Sequence, residues 1–189
     1  KSSYTGEDLS NEEMEEYSRN VYEKLKPYLH KEMKVLEIGC SSGLTMFNIA
    51  PLVKEYHGTD LSSSILANTQ KMATEKGISN IILSCIPAHE IDRLNEKDFD
   101  LVIINSVIQC FDGHNYFRNV MIKAIGNMKE HGLVFLGDIM DEEKRDALMA
   151  DLEAFKRMNR GRGYKTNTDL SGKLFLSRGY LTGLVEDKI

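Results

Sequence analysis

The sequence predicts an α/β fold: a doubly wound, mostly parallel sheet with helices on both faces. Three observations lead there. Five short apolar runs with strand character alternate with segments of helical spacing, the pattern of parallel strands joined by right-handed crossovers. The first run, residues 35–38, passes directly into a loop of glycine, cysteine and serine, Gly39-Cys40-Ser41-Ser42-Gly43. The second run closes on an acid, Asp60, seventeen residues after Gly43.

The elements follow in order. Ser10-Asn11-Glu12-Glu13 predicts a capping box, with Ser10 accepting from the Glu13 amide. Met14, Tyr17, Val21, Leu25 and Tyr28 recur at helical spacing and carry that helix to about Leu29, with Pro27 marking an early stop. The strand at 35–38 is apolar apart from Glu37, as expected where both sheet faces are covered. Leu44, Phe47, Ala50 and Val53 form the buried side of the next helix, which Pro51 weakens. A short strand at 56–59 reaches Asp60. Ser62 or Ser63 then caps a helix with Ile65, Leu66, Thr69, Met72 and Ala73 on its apolar side, and Gly77 stops it. Residues 81–85, 99–104 and 133–136 are the third, fourth and fifth strands. Between the last two lies a helix carrying Tyr116, Val120, Ala124, Ile125 and Met128, ending before Gly132. Asp141 caps a last long helix with Leu148, Leu152, Phe155 and Met158. The tail that follows is basic, with Arg157, Arg160, Arg162, Lys165 and Lys173 around Gly161 and Gly163. It reads as irregular chain ending in a short strand or helix. This divides one domain into a helical segment (1–33), a core (34–158) and a basic tail (159–189).

Composition narrows the class. At 189 residues, 41% hydrophobic and 28% charged, the chain suits one water-soluble domain with a full-sized core. No apolar run approaches the ~20 residues of a membrane span, and the opening is acidic and polar, unlike a signal peptide. A net charge of −5 argues against nucleic acid as the main partner. Cys40, Cys85 and Cys110 have no metal-ligand spacing; they read as reduced thiols of a cytoplasmic protein, and no metal site is expected. The chain starts at Lys1, as a segment cut from a larger polypeptide would.

In open α/β sheets ligands bind beyond the carboxyl ends of the strands. Here those ends offer Glu37 and the glycine loop, Asp60, Ala88-His89, Asn105-Ser106 and Asp138. Asp60 has two readings: a carboxylate that accepts from a ribose diol, or a cap for the helix starting near Ser62. Glu37 sits inside a strand, where an unpaired carboxylate is costly. A cationic partner or a ring of donors relieves it on one reading, an internal salt bridge or a hydrogen bond to a neighbouring loop on the other.

These segments together resemble a known family. Glu37-Ile38-Gly39-Cys40-Ser41-Ser42-Gly43 resembles the E-x-G-x-G-x-G motif of class I S-adenosylmethionine-dependent methyltransferases, with Ser41 at the middle glycine. The dinucleotide pattern G-x-G-x-x-G is absent, since it needs glycine at 41 and 44. Gly58-Thr59-Asp60-Leu61-Ser62 resembles that family's ribose-binding segment, residues 100–107 its fourth-strand motif and residues 132–138 its fifth strand. The likeness covers residues 10–158. A closer resemblance is to methyltransferase domains embedded in nonribosomal peptide and polyketide synthases. It is carried by Leu36-Glu37-Ile38-Gly39, by Phe47-Asn48-Ile49-Ala50-Pro51, and by Asn105-Ser106-Val107-Ile108-Gln109-Cys110-Phe111. Those domains often read N-S-V-x-Q-Y-F at the last of these, so Cys110 stands in a tyrosine's place.

The resemblance implies a Rossmann-like fold that binds S-adenosylmethionine and releases S-adenosylhomocysteine. By it, Gly39, Cys40, Ser41 and Gly43 would wrap the cofactor and Asp60 would hold the ribose hydroxyls. Glu37 would sit near the methionine amino end, directly or through water, and Asn105 would offer its carbonyl to the same ammonium. The family commonly places an acid where Pro87 stands, so adenine would rest on the backbone of Ala88 and His89 and on Leu61. The family sheet ends in an antiparallel hairpin; nothing after Phe175 clearly supplies it, so the sheet is expected to lack it. The implied acceptor is an aminoacyl or acyl group tethered to a carrier protein. A stand-alone enzyme with a small-molecule acceptor, and a non-catalytic cofactor-binding domain, stay open as alternatives. A nicotinamide-dependent oxidoreductase is disfavoured by the missing third glycine. A hydroxyl or carbon acceptor needs a general base. His114 is the best-placed histidine for it, against a plain surface role beside Gly113. Asp138 either orients an acceptor, or caps the last helix or hydrogen-bonds its own loop. The basic tail either docks an acidic carrier or its phosphate, or is solvated surface.

Overall fold

In the structure, a computed structural model describing residues 1–186, five parallel strands form one sheet. They are β1 (Lys34–Ile38), β2 (Glu55–Asp60), β3 (Ile81–Cys85), β4 (Phe99–Asn105) and β5 (Met128–Gly137), in the order β3-β2-β1-β4-β5. The order reverses between β1 and β4, which opens a crevice at their carboxyl ends. Successive strand residues point to opposite faces. Val35, Leu101 and Ile103 therefore pack with α1 (Asn11–Leu25), α2 (Met46–Ile49) and α3 (Ser63–Glu75). Leu36, Ile38, Val102 and Ile104 pack with α4 (His114–Ile125) on the other face.

The helix ends show which residues decide. Ser10 and Glu13 form the capping box of α1. The helix stops at Leu25, short of Leu29, because Pro27 removes an N–H and the chain tightens into a 3₁₀ turn, Lys26–Tyr28. Tyr28 is consequently 57% exposed instead of buried. Pro51 acts the same way after α2, which is only four residues long and continues as a 3₁₀ turn, Ala50–Leu52. This short helix turns Met46 and Ile49 fully inward, while Leu44 and Phe47 are half-buried. In α3, capped by Ser62, Leu66, Thr69 and Ala73 face the core; Ile65 and Met72 are exposed. Gly77, at φ +69°, ends it with Gly77 N–H on Thr74 O and Ile78 N–H on Ala73 O.

β5 starts at Met128, five residues earlier than expected, so α4 ends at Ile125 and Gly132 lies inside the strand. A register shift opposite Phe99 and Leu101 accommodates the polar run Lys129-Glu130-His131. Asp141 caps a 3₁₀ turn, Glu142–Lys144, that leads into α5 (Arg145–Met158). Leu152 of α5 is buried against Leu170 and Phe175, whereas Met158 is exposed. The tail supplies both a strand and a helix: β7 (Phe175–Leu176), parallel to β6 (Met140–Asp141), and α6 (Arg178–Glu186). Among the described residues no antiparallel hairpin joins β5, which is an edge of the large sheet. No described helix is long and apolar enough to cross a membrane.

Candidate active site

The loop after β1 is tied down at its base and takes a left-handed conformation at alternate residues. Gly39 and Cys40 N–H both donate to Thr59 O, at 2.8 and 2.9 Å. Gly39, Ser41 and Gly43 have φ of +79°, +45° and +80°. At Gly39 glycine is needed twice over, since a Cβ there would come within 2.9 Å of Val107 Cβ, beyond the end of β4. Gly39→Ala adds a left-handed penalty of about 1–2 kcal/mol to an overpacking cost of about 1–3 kcal/mol. The melting temperature is expected to fall by roughly 5–15 °C. A scan showing a change of only a degree or two would mean that the loop relaxes freely.

Ser41 occupies its left-handed conformation because both its backbone groups are held. Its N–H donates to Asp60 Oδ2 at 3.0 Å and its carbonyl accepts from Thr69 Oγ1 at 2.9 Å. Asp60 Oδ1 accepts from Ser62 N–H at 2.9 Å. Asp60 thus joins the glycine loop to the start of α3. A carboxylate offers about four acceptor positions, so two bonds leave it capacity for a ligand. The side chain of Cys40 is buried and lies where a Cβ on Gly58 would press, so only its backbone belongs to the loop. Burial pushes that thiol well up.

Glu37 is 3% exposed. Tyr56 Oη donates to its Oε2 at 2.9 Å, and no salt bridge reaches it among the described residues. Burial pushes its carboxyl up to about 8, against the lowering effect of hydrogen bonds from Tyr56 and Thr45; the nearby Asp60 charge adds to the rise. The internal hydrogen bond that Tyr56 gives Glu37 therefore comes from the neighbouring strand β2 and not from a loop. Tyr56, whose position in β2 marked it only as a strand residue, is the partner that spacing did not single out.

At the other side of the crevice, Asn105 is buried against Gly137, where a Cβ would collide with its Oδ1. Ser106 and Asp138 follow β4 and β5 with φ of +58° and +53°. Ser106 Oγ donates to Asp138 Oδ2 at 2.6 Å, locking the two turns side by side. Tyr17 reaches them from α1. Its hydroxyl is buried beside the Ser106 and Asn105 side chains without a well-formed hydrogen bond, and burial pushes it above the usual phenol range against their lowering effect. Helical spacing had marked it as packing alone.

Leu61, just past β2, is 74% exposed. Cys85 Sγ donates to its carbonyl at 3.4 Å. Ala88 is buried, and His89 Nδ1 pairs with Tyr116 Oη at 3.0 Å. His114 is exposed on the first turn of α4. Its ring packs edge-on against Tyr180 of α6 with centroids 4.7 Å apart, and its carbonyl accepts from the Tyr180 hydroxyl. Among the described residues no group of three or more His, Cys, Asp or Glu side chains could hold a metal ion.

The sequence profile of a methyltransferase domain family matches residues 29–174. A probable non-canonical nonribosomal peptide synthetase of Salinispora arenicola, CymA, is 38% identical over 138 residues, covering 73% of this chain. Chondramide synthase of Chondromyces crocatus is 34% identical over 157 residues, covering 82%. The chain spans only 2% and 4% of the lengths of these two proteins. Among solved structures, YcgJ of Bacillus subtilis superposes with a TM-score of 0.67 at 18% identity, over 91% of this chain and 67% of that one. The N-methyltransferase NodS of Bradyrhizobium japonicum gives 0.66 at 16% identity, over 94% and 84%. At these identities the two structures speak for the fold.

Proposed function

This chain belongs to the methyltransferase domain family, an S-adenosylmethionine-dependent enzyme family, and from that premise we propose that its acceptor is an aminoacyl or acyl intermediate tethered to a carrier protein. Similarity to segments of two large synthetases supports the tethered acceptor. The observation that supports placing the cofactor in the crevice is Glu37: a buried acid beside the glycine loop, hydrogen-bonded but with no cation. A cofactor carrying an ammonium group answers that need.

The donor set fits. Gly39 leaves the loop backbone bare where a Cβ has no room, and Asp60 keeps acceptor capacity for two ribose hydroxyls. Leu61 offers an exposed apolar face for a flat ring, beside the backbone of Ala88 and His89. Asn105 stands at the end of β4, where its carbonyl can take the ammonium together with Glu37. The cofactor supplies an electrophilic methyl group on a sulfonium. The residues have to hold the acceptor in line with it and keep water out. In this reading His114 is the base for an acceptor that needs deprotonation. Its described ring contact runs to Tyr180, so it would act from the α4–α6 side.

Calorimetry with S-adenosylhomocysteine tests the cofactor site, and methyl transfer to an aminoacylated carrier protein, followed by mass, tests the acceptor. Binding together with transfer is the expected result. Absence of binding to the folded domain would remove the cofactor assignment. Binding with transfer only to free small molecules would leave the enzyme and remove the carrier.

A further inference from the structure

Residues 154–168 hold Lys156, Arg157, Arg160, Arg162 and Lys165 and no acid, in a chain whose net charge is −5. All of these cations are exposed. Elsewhere cations find carboxylates: Lys123 meets Asp92, Lys129 meets Asp100 and Arg145 meets Glu142. Arg157, Arg160, Arg162 and Lys165 form no ion pair among the described residues, and Lys156 donates to the Thr168 hydroxyl at 3.1 Å. Lys156 and Arg157 complement the carbonyl end of α5. That dipole falls off within the last turn, so it does not account for Arg160, Arg162 and Lys165, which lie beyond Met158. Nor is the segment a loose charged tail. Lys165 and Asn167 N–H donate to Thr5 O and Ser3 O at 2.9 and 2.8 Å, and Tyr4 packs edge-on against Phe155 and donates to Asp151. Two exposed apolar groups stand among the cations: Met158, and Tyr164 stacked on Phe155. Arginine, methionine and tyrosine are the residues over-represented in protein-binding surfaces. A cavity of about 280 Å³ opens among them, lined by Lys156, Arg157, Arg160 and Tyr164, with Glu153 at its wall.

Resting on the carrier-tethered acceptor proposed above, we propose that this face, the last turn of α5 and residues 159–165, docks an acidic surface of the carrier protein. Charge selects the partner. The guanidinium groups without an acid of their own each present a fork of donors that matches a carboxylate, and Met158 and Tyr164 supply the apolar contact between them. Charge complementarity of this kind steers the encounter and fixes its register. The face also lies at a workable distance. α5 starts just past Asp138 and β6, and its 14 residues cover about 21 Å. The phosphopantetheine arm of a carrier has roughly fifteen bonds, about five residues' worth of chain, and extends to about 18 Å. From the far end of α5 the chain returns to the crevice, where Leu174 N–H donates to Gln109 O at 3.1 Å, just past Ser106. A carrier on this face stands about one arm's length from the crevice.

The test titrates the protein into a peptide-synthetase carrier domain labelled with fluorescein on its phosphopantetheine thiol, followed by fluorescence anisotropy. Binding is expected, weakening severalfold between about 50 and 300 mM sodium chloride. Arg160→Glu combined with Arg162→Glu should weaken it by at least about tenfold. Arg160→Lys combined with Arg162→Lys keeps the charge without the fork and should fall between the two. Both double variants should keep the wild-type S-adenosylhomocysteine affinity and melting temperature. No binding of the carrier, binding that ignores salt, or an unchanged affinity in the glutamate variant overturns the proposal. A glutamate variant that loses S-adenosylhomocysteine binding or melts early overturns it too, since the arginines then serve the fold. Phosphatidylserine vesicles or duplex DNA held by wild type and released by the glutamate variant, with the carrier unbound, would assign the face to another polyanion and overturn it as well. Failure of the underlying readings looks different. Wild type that never binds S-adenosylhomocysteine refutes methyl transfer, and a docked carrier whose cargo is never methylated refutes the tethered acceptor while the docking stands.

Discussion

Asp60→Ala is expected to weaken S-adenosylhomocysteine binding by about 10- to 150-fold, the loss of roughly 1.5–3 kcal/mol that accompanies hydrogen bonds to a charged group. Two effects add. The ribose hydroxyls lose their acceptor, and the Ser41 and Ser62 amides lose theirs, at 3.0 and 2.9 Å. The second effect matters because Ser41 is not glycine: its φ of +45° is held by that bond and by Thr69. Asp60→Asn separates the two. Its amide oxygen can still anchor one backbone N–H, but the neutral group binds a diol less strongly. It should fall between wild type and alanine in calorimetric affinity, with a melting temperature nearer wild type. An alanine variant that binds within twofold of wild type would take Asp60 out of the ligand site and leave it as a loop anchor.

The sheet was legible because its strands are short, apolar and separated by helical spacing, and because a glycine loop after the first strand sets the switch point. Where the reading slipped, the cause was local. Pro27 and Pro51 do not end their helices cleanly; each converts the last turn to a tighter one and so rotates the buried face. The start of β5 was hidden because residues 129–131 are polar, and a register shift that carries no periodic signal lets them extend the strand. The parallel pairing of β6 with β7 joins two-residue strands 35 positions apart, Met140 to Phe175, too short and too distant to read from pattern.

The polar groups of the crevice were partly legible for a related reason. Acids at strand ends stand out in an apolar run, so Glu37 and Asp60 drew notice. Their partners did not. The Ser41 amide on Asp60 is a backbone group, invisible in any residue pattern. Tyr56 and Tyr17 sit at positions where hydrophobic periodicity asks for bulk, and periodicity weighs the ring and ignores the hydroxyl. The basic tail was legible as charge and as irregular chain ending in a short strand or helix, and it supplies both. Its fold onto the domain depends on single apolar residues, Leu170, Leu174 and Leu176, which bury without a repeating pattern.

Glu37→Gln is expected to stabilise the ligand-free protein at pH 8 while weakening its ligand affinity there. The sign follows from proton counting. Glu37 titrates near 8 in the folded chain, above its ordinary 4.5. Between those values the folded state keeps a proton that the unfolded state has lost. Stability is therefore fully present below 4.5 and is lost as pH rises toward 8, by up to about 1.4 kcal/mol per pH unit from this group. Glutamine never ionises, so the variant lacks that slope, and chemical denaturation across pH 5–8 would reveal the difference. A ligand ammonium reverses the preference by favouring the carboxylate. Binding then expels the proton, and S-adenosylhomocysteine affinity should rise by up to about tenfold per pH unit below 8. Calorimetry in two buffers of different ionisation enthalpy should count close to one proton released at pH 6.5 in wild type and fewer in the variant. Equal proton release by both proteins would show that the ammonium is held elsewhere, and that Glu37 serves only the buried bond to Tyr56.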